Sequence, residues 1–216
     1  RFIYASSSSV YGIKNEKNVH EGMSLEPLTD YSKFKAECES ILSRYNTEDF
    51  TTVTIRPATV CGYSTRQRLD VVVNILTNLG YHKRKITVFG GDQLRPNLHI
   101  KDMIQSYYLV LKANKSLISN QIFNVGSQNQ KVIDLANITK KIIGEDVILE
   151  STPTNDNRSY HISSKKISEI LNFNTQFTVQ DAVLDLKKAF DEKLLVNTLE
   201  NEMYFNIKRM QSYQLK

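Results

Sequence analysis

Strands alternating with helices place this 216-residue chain in the α/β class, with a largely parallel sheet. Three observations carry that reading. Short apolar runs such as Phe2-Ile3-Tyr4-Ala5 and Gln121–Val125 have the length and character of buried strands. Between them apolar residues recur at helical spacing, as in Phe34, Cys38, Ile41, Leu42 and Tyr45. Glycines and prolines punctuate the junctions, with Pro27 before one helix and Gly144 after another.

Taken in order, residues 2–6 read as a fully buried strand that runs into a polar serine stretch, Ser6 to Ser9. Residues 13–28 are polar and read as irregular. Thr29 or Asp30 supplies an N-cap for the next helix. Tyr31 and Lys35 lie four apart, hence one above the other on a face that is not the apolar one. Thr52 to Arg56 is a strand, and Pro57 to Gly62 a loop at its end. Residues 63–70 are polar, with Arg66 and Arg68, and Asp70 suits the N-cap of a helix over Val71 to Leu79. Ile86 to Phe89 is a strand ended by Gly90-Gly91, and Leu94 to Ile100 leads into a helix over about residues 101–113. Gln121 to Val125 is a strand closed by Gly126. Val132 to Ile143 is a helix with Leu135, Ile138 and Ile142 inward, and Val147 to Leu149 a short strand. Two further helices fall near residues 163–171 and 178–192, and the last twenty residues are a docked tail or disordered.

Composition narrows the function. Hydrophobic residues are 40% and charged residues 24%, the balance of a soluble globular chain rather than a disordered one. A net charge of +5 suits an anionic small molecule. The lysines are dispersed and form no dense basic run, which argues against nucleic acid. Cys38 and Cys61 form no disulfide framework and read as buried thiols. His20, His82, His99 and His161 lack metal-ligand spacing, so no metal is expected. No apolar run approaches the roughly eighteen residues of a membrane span, and no signal peptide is visible. No membrane association is expected, and the cytoplasm is the default location.

The chemistry converges on five motifs: Ser6-Ser7-Ser8-Ser9-Val10-Tyr11-Gly12, Tyr31-Ser32-Lys33-Phe34-Lys35, Arg56-Pro57-Ala58-Thr59-Val60-Cys61-Gly62, Arg95-Pro96-Asn97-Leu98-His99-Ile100, and Phe123-Asn124-Val125-Gly126. In this order and spacing the chain resembles the extended short-chain dehydrogenase/reductases that act on nucleotide sugars, the NAD-dependent epimerase/dehydratase group. The resemblance covers only the C-terminal part of such a protein. No glycine-rich pyrophosphate fingerprint is present. At about 30 residues per βαβ unit, roughly a hundred N-terminal residues are expected to be absent.

The resemblance implies the C-terminal part of a Rossmann-like doubly wound parallel sheet plus a small α/β substrate-binding lobe. Residues 1–62, with the strand near 121–126, would be what remains of the NAD-binding domain. Residues 63–192 would be mainly the substrate lobe, and 193–216 a tail. It further implies that Ser7, Tyr31 and Lys35 are catalytic. Free tyrosine ionises near pH 10, too high for a base at neutral pH, but an ammonium one helical turn away favours the phenolate. A phenolate so placed can take the proton from a sugar hydroxyl while the carbon beneath gives hydride to NAD. The nicotinamide end of the cofactor would meet Ala5, Ser6, Tyr31, Lys35, Pro57 and Ala58. The substrate would meet Ser7, Ser9, Thr59, Arg68, Arg95 and Arg158, the arginines reaching its diphosphate.

Departures from the family pattern refine the class. Its 4,6-dehydratases carry an Asp-Glu pair directly after the catalytic Ser or Thr, whereas this chain has Ser8 and Ser9, which disfavours dehydration. Thr59 stands where many 4-epimerases have asparagine. The run Arg56–Asp70 resembles a subgroup tied to bacterial surface-polysaccharide and heptose or deoxysugar pathways. The expectation is therefore an NAD-dependent nucleotide-sugar C4 epimerase, working through a transient 4-keto sugar as a homodimer. Two other readings fit the same residues: a nucleotide-sugar dehydrogenase or ketoreductase, and a truncated, inactive binding fragment.

Overall fold

The computed structural model describes residues 1–154 and 159–213. Strand β1 (Phe2–Ala5) is followed by a 3-10 turn over Ser8–Tyr11 and by β2 (Ile13–Val19). Helix α1 (Asp30–Arg44) leads to β3 (Thr52–Pro57) and β4 (Thr59–Cys61). Then come α2 (Val72–Lys83), β5 (Lys85–Phe89), β6 (Leu94–His99), α3 (Ile100–Lys112) and the one-turn α4 (Lys115–Ile118). They are followed by β7 (Gln121–Val125), β8 (Gln128–Lys131), α5 (Val132–Ile143), β9 (Ile148–Thr152) and β10 (Ser159–Ile162). Helices α6 (Lys165–Leu171) and α7 (Val179–Asp191), a 3-10 turn at Glu202–Tyr204 and α8 (Asn206–Ser212) complete the described chain.

The sheet that positions the site has the order β1-β3-β7, all parallel, with Ala5 opposite Ile55 and Ile55 opposite Phe123. Strand β3, with a partner on each edge, is buried throughout Thr52–Arg56. Strand β1 has a partner on one edge, and its Phe2 is 47% exposed, so the fully buried strand expected over residues 2–6 is half-open instead. The remaining strands form β4-β6-β8, β5-β9 and β2-β10; β6 with β8 is the antiparallel pairing among the described strands.

Several expectations from sequence are corrected here. The polar stretch after Gly12 is not irregular throughout: Ile13–Val19 pairs with β10, and Val19 is its one fully buried residue. Pro57–Gly62 is not a simple loop. Pro57, which lacks an N–H to extend the ladder, ends β3, and Thr59–Cys61 starts a second pairing with β6. Cys38 is exposed, not buried, whereas Cys61 is buried. Asp70 does not cap α2; the N-cap is Val71, and Asp70 pairs with Arg68.

Two main apolar clusters hold the chain. One surrounds β3 and β7, with Val53, Ile55, Phe123 and Val125 joined by Val10, Val110 and Ile167. The other lies between α2, α5, α7 and β5, with Leu76, Ile86, Leu135 and Val183. A smaller cluster of Leu69, Leu186 and Phe190 is covered by Tyr204 and Phe205 of the tail, which is docked as far as it is described.

Candidate active site

Helix α1 opens with a capping box. The Thr29 hydroxyl accepts from the Ser32 N–H, and the Ser32 hydroxyl returns the contact to the Thr29 N–H. This fixes where the helix starts, and so puts Tyr31 in its first turn and Lys35 one turn further along. The Lys35 ammonium donates to the Ala5 carbonyl oxygen at 2.6 Å. It also stands 5.0 Å from the Tyr4 ring centre and 5.6 Å from that of Tyr31. The polar face of α1 is thereby tied to the C-terminal end of β1. Tyr31 itself is 58% exposed.

Ser7 follows directly. The Ser6 N–H donates to the Ile55 carbonyl at 2.8 Å, carrying β1 along β3 to the point where the serine turn leaves the sheet. Ser7 caps that turn: its Oγ accepts from the Ser9 N–H at 3.2 Å and lies 2.9 Å from the Ser9 Oγ. Gly12 closes the turn at φ +71°, where an added Cβ would collide with the Glu26 carbonyl oxygen. Pro57 and Ala58 stand at the neighbouring strand end, where the Ala58 N–H donates to the Val125 carbonyl at 2.7 Å. Ala5, Ser7, Tyr31, Lys35, Pro57 and Ala58 thus gather at the C-terminal edge of one parallel sheet, where open α/β folds bind ligands.

Ser6 is placed differently. Its side chain is buried, and its hydroxyl donates to Glu39 inside the protein. Glu39 is 5% exposed and Arg56 3%, and they form an ion pair with Nη2 to Oε2 at 2.6 Å and Nε within 3.1 Å of both carboxylate oxygens. Arg56 Nη1 donates to the Tyr11 hydroxyl at 2.7 Å, which donates on to Asn124 Oδ1 at 2.8 Å. Burial alone would lower the Arg56 guanidinium; the hydrogen bond to Glu39 and the neighbouring Tyr11 and Glu39 charges raise it instead. Burial raises the Tyr11 phenol, partly offset by Arg56. This network escaped the sequence reading, although Glu39 falls one turn beyond Lys35 and Arg56 is a lone charge in a β-branched run.

The remaining sites expected from sequence are spread wider. Thr59 on β4 lies opposite Asn97 on β6, two residues beyond half-buried Arg95. Arg95 Nη1 donates to the Leu94 carbonyl at 3.2 Å. Ser9 is buried beside Ser7. Arg68 is exposed and donates to Asp70 at 2.9 Å. Its loop is shaped by two buried amides, Gln67 and Asn74, which bond the backbone of residues 62–68. Arg66 points into the tail, toward the Met203 carbonyl and Asn206. Arg158 lies outside the described residues.

A parallel sheet with a tyrosine-lysine helix and a serine turn at one strand end defines a Rossmann-like protein of the short-chain dehydrogenase/reductase type. The family model "NAD dependent epimerase/dehydratase family" matches residues 1–126, and the chain belongs to that family. It is 29% identical over 180 residues to the dTDP-D-glucose 4,6-dehydratase of Bos taurus, covering 77% of this chain and 49% of that protein. It is 31% identical over 150 residues to an uncharacterised UDP-glucose epimerase of Bacillus subtilis, covering 68% and 46%. The chain therefore spans about half the length of the curated relatives it matches. Among solved structures, UDP-glucuronic acid 4-epimerase from Bacillus cereus, in complex with UDP-glucuronic acid and NAD, superposes with a TM-score of 0.79 at 24% identity, covering 89% of this chain and 62% of that one. UDP-glucose 4-epimerase from Thermotoga maritima gives 0.77 at 22%, covering 90% and 64%. These two likenesses establish the fold.

Proposed function

We propose that this chain carries the catalytic part of an NAD-dependent nucleotide-sugar C4 epimerase. The observation that carries the reading is the Lys35 ammonium held on the Ala5 carbonyl beside the Tyr31 ring, next to the turn bearing Ser7. An ammonium has three donors, and Ala5 takes one. The others, with the exposed Tyr31 phenol, fit the hydroxyls of a ribose and of a sugar. NAD, when bound, would supply the hydride acceptor at C4 and then, as the reduced cofactor, the hydride donor to the opposite face of the 4-keto sugar. Tyr31 takes the proton from the C4 hydroxyl, Ser7 holds that oxygen in place, and Lys35 keeps a positive charge beside the Tyr31 ring. The proton then returns to the oxygen once the sugar has turned.

Ala5, Pro57 and Ala58 bound the nicotinamide end in this reading, and Thr59, Arg68, Arg95 and Arg158 bound the sugar nucleotide. Residues 1–62 and β7 form the cofactor side, and residues 63–192 the lobe over the substrate. The exposed Phe34, Ile41 and Tyr45 on α1 support a homodimer formed through that helix. The resemblance of the Arg56–Asp70 run supports a role in surface-polysaccharide or deoxysugar synthesis.

The curated 4,6-dehydratase relatives raise a second reading, loss of water across C5 and C6. In place of a carboxylate pair after Ser7 the chain has Ser8 and Ser9, both buried, and a serine hydroxyl is a poor acid or base for that step at neutral pH.

The test uses the natural full-length chain with NAD and a panel of UDP-, GDP-, CDP- and dTDP-sugars, followed by proton NMR and by NADH absorbance. The expected result is a new anomeric signal without accumulating NADH, lost by at least about 100-fold in Tyr31→Phe. NADH rising in step with a keto product gives a dehydrogenase instead. A new C6 methyl signal gives a dehydratase.

A further inference from the structure

Ser7 has only a small side chain and stands at the start of a short turn, yet the hydroxyl it offers must be held to a fraction of an ångström. What holds the turn lies beneath it. At one end Ser6 Oγ donates to Glu39; at the other the Tyr11 hydroxyl accepts from Arg56. Glu39 and Arg56 are themselves a buried, multiply bonded ion pair. Glu39 belongs to α1, one turn beyond Lys35 and two beyond Tyr31, while Arg56 immediately precedes Pro57 at the end of β3. Tyr11 is also fixed to β7 through Asn124.

We infer that Glu39 and Arg56, with Ser6 and Tyr11, are positioning residues that lock the Ser7 turn in register with the Tyr31–Lys35 helix. The inference rests on the epimerase reading for what the register serves. Both ends of the turn and both catalytic elements meet at one ion pair. A slide or roll of α1 against the sheet would break the contact with Ser6, and a shift of β3 would break the one with Tyr11. The Ser6 side chain accordingly acts through Ser7 and has no direct part in binding cofactor or substrate.

Removing either charge of the pair threatens folding, so the test leaves the pair intact and removes its two links to the turn. Ser6→Ala and Tyr11→Phe each delete one hydroxyl. They are compared with the unmodified full-length chain and with Tyr31→Phe in two measurements. The first is amide hydrogen exchange at Ser9, Val10 and Gly12, whose N–H groups bond within the turn to Ser7 Oγ, the Ser7 carbonyl and the Ser9 carbonyl. The second is kcat and KM for the panel sugar that the unmodified chain turns over.

The expected result is faster exchange at those three amides in both variants, a kcat lower by about 10-fold or more, and a KM changed by less than about 3-fold, the pattern of a misplaced reacting group. Unchanged exchange overturns the inference, whatever the kinetics. Faster exchange with unchanged kcat overturns it too, because the turn would then move without consequence. If Tyr31→Phe keeps full turnover, or no panel sugar reacts, the epimerase reading fails; the exchange data alone then decide whether the ion pair holds the turn.

Discussion

Replacing Glu39 by glutamine would leave the Arg56 guanidinium buried without its counter-charge. Losing one partner of a buried pair costs about 3–5 kcal/mol. Urea unfolding of Glu39→Gln should show a loss of that order. A Glu39→Leu, Arg56→Met double variant, which removes both charges, should recover much of it. A double variant no more stable than the single one would mean that the pair's outer hydrogen bonds, to Ser6 and Tyr11, dominate. The same residues mark how far single positions can be read from sequence. Ser7, Tyr31 and Lys35 stand out because four-residue spacing on a helix and a polar run after a strand are local patterns. The partners of Glu39 are not local: Ser6 is 33 residues away and Arg56 is 17. Spacing along α1 puts Glu39 on the same side as Lys35, but only the sheet register brings Ser6 and Arg56 to it.

Helix α1 turns its most apolar stripe outward. Phe34 is 64% exposed and Ile41 and Tyr45 also lie open, while the residues it buries are Ser32 and Glu39. The helical periodicity agrees with the sequence reading, but Cys38 on that stripe, expected to be buried, is exposed with it. An apolar stripe states that something covers it, not whether the cover belongs to the same chain. If the cover is a second copy, Phe34→Asp with Ile41→Asp in the full-length chain should give a monomer by sedimentation. A dimer that survives both changes would exclude this face. The other elements misread or left unassigned share a cause. Strands β2, β4 and β8 are short or polar, and each exists because a partner strand supplies its backbone bonds. By contrast β7 and α5 lie where the sequence places them, since each has its own apolar pattern and a glycine directly after it.

At the scale of the molecule, His99 joins elements far apart in sequence. Its Nδ1 accepts the Lys101 N–H that begins α3, and its ring stacks on Phe177 at 4.8 Å. Its Nε2 stands 3.3 Å from Asp185 on α7, off the line of a hydrogen bond. Asp102 fastens the same region by accepting the N–H groups of Gln176 and Phe177. Burial lowers the His99 imidazole below its usual value; Asp185, Asp102 and Asp181 oppose this, and Lys101 adds to it. Burial lowers His82 as well. A histidine depressed in the folded state binds its proton more readily once unfolded. Its neutral form therefore supports the fold fully above about pH 6.5, the ordinary value, and that support fades as pH falls below it. One such group contributes at most about 1.4 kcal/mol per pH unit in that window. Urea unfolding at pH 7.5, 6.5 and 5.5 should thus show stability falling with pH. In His99→Asn, which keeps an acceptor for the Lys101 N–H, the overall stability should drop with the lost stacking but the pH slope should flatten. A slope unchanged in that variant would assign the pH dependence to His82 or to other groups, and would remove His99 as the titrating link between α3, α7 and the 176–177 loop.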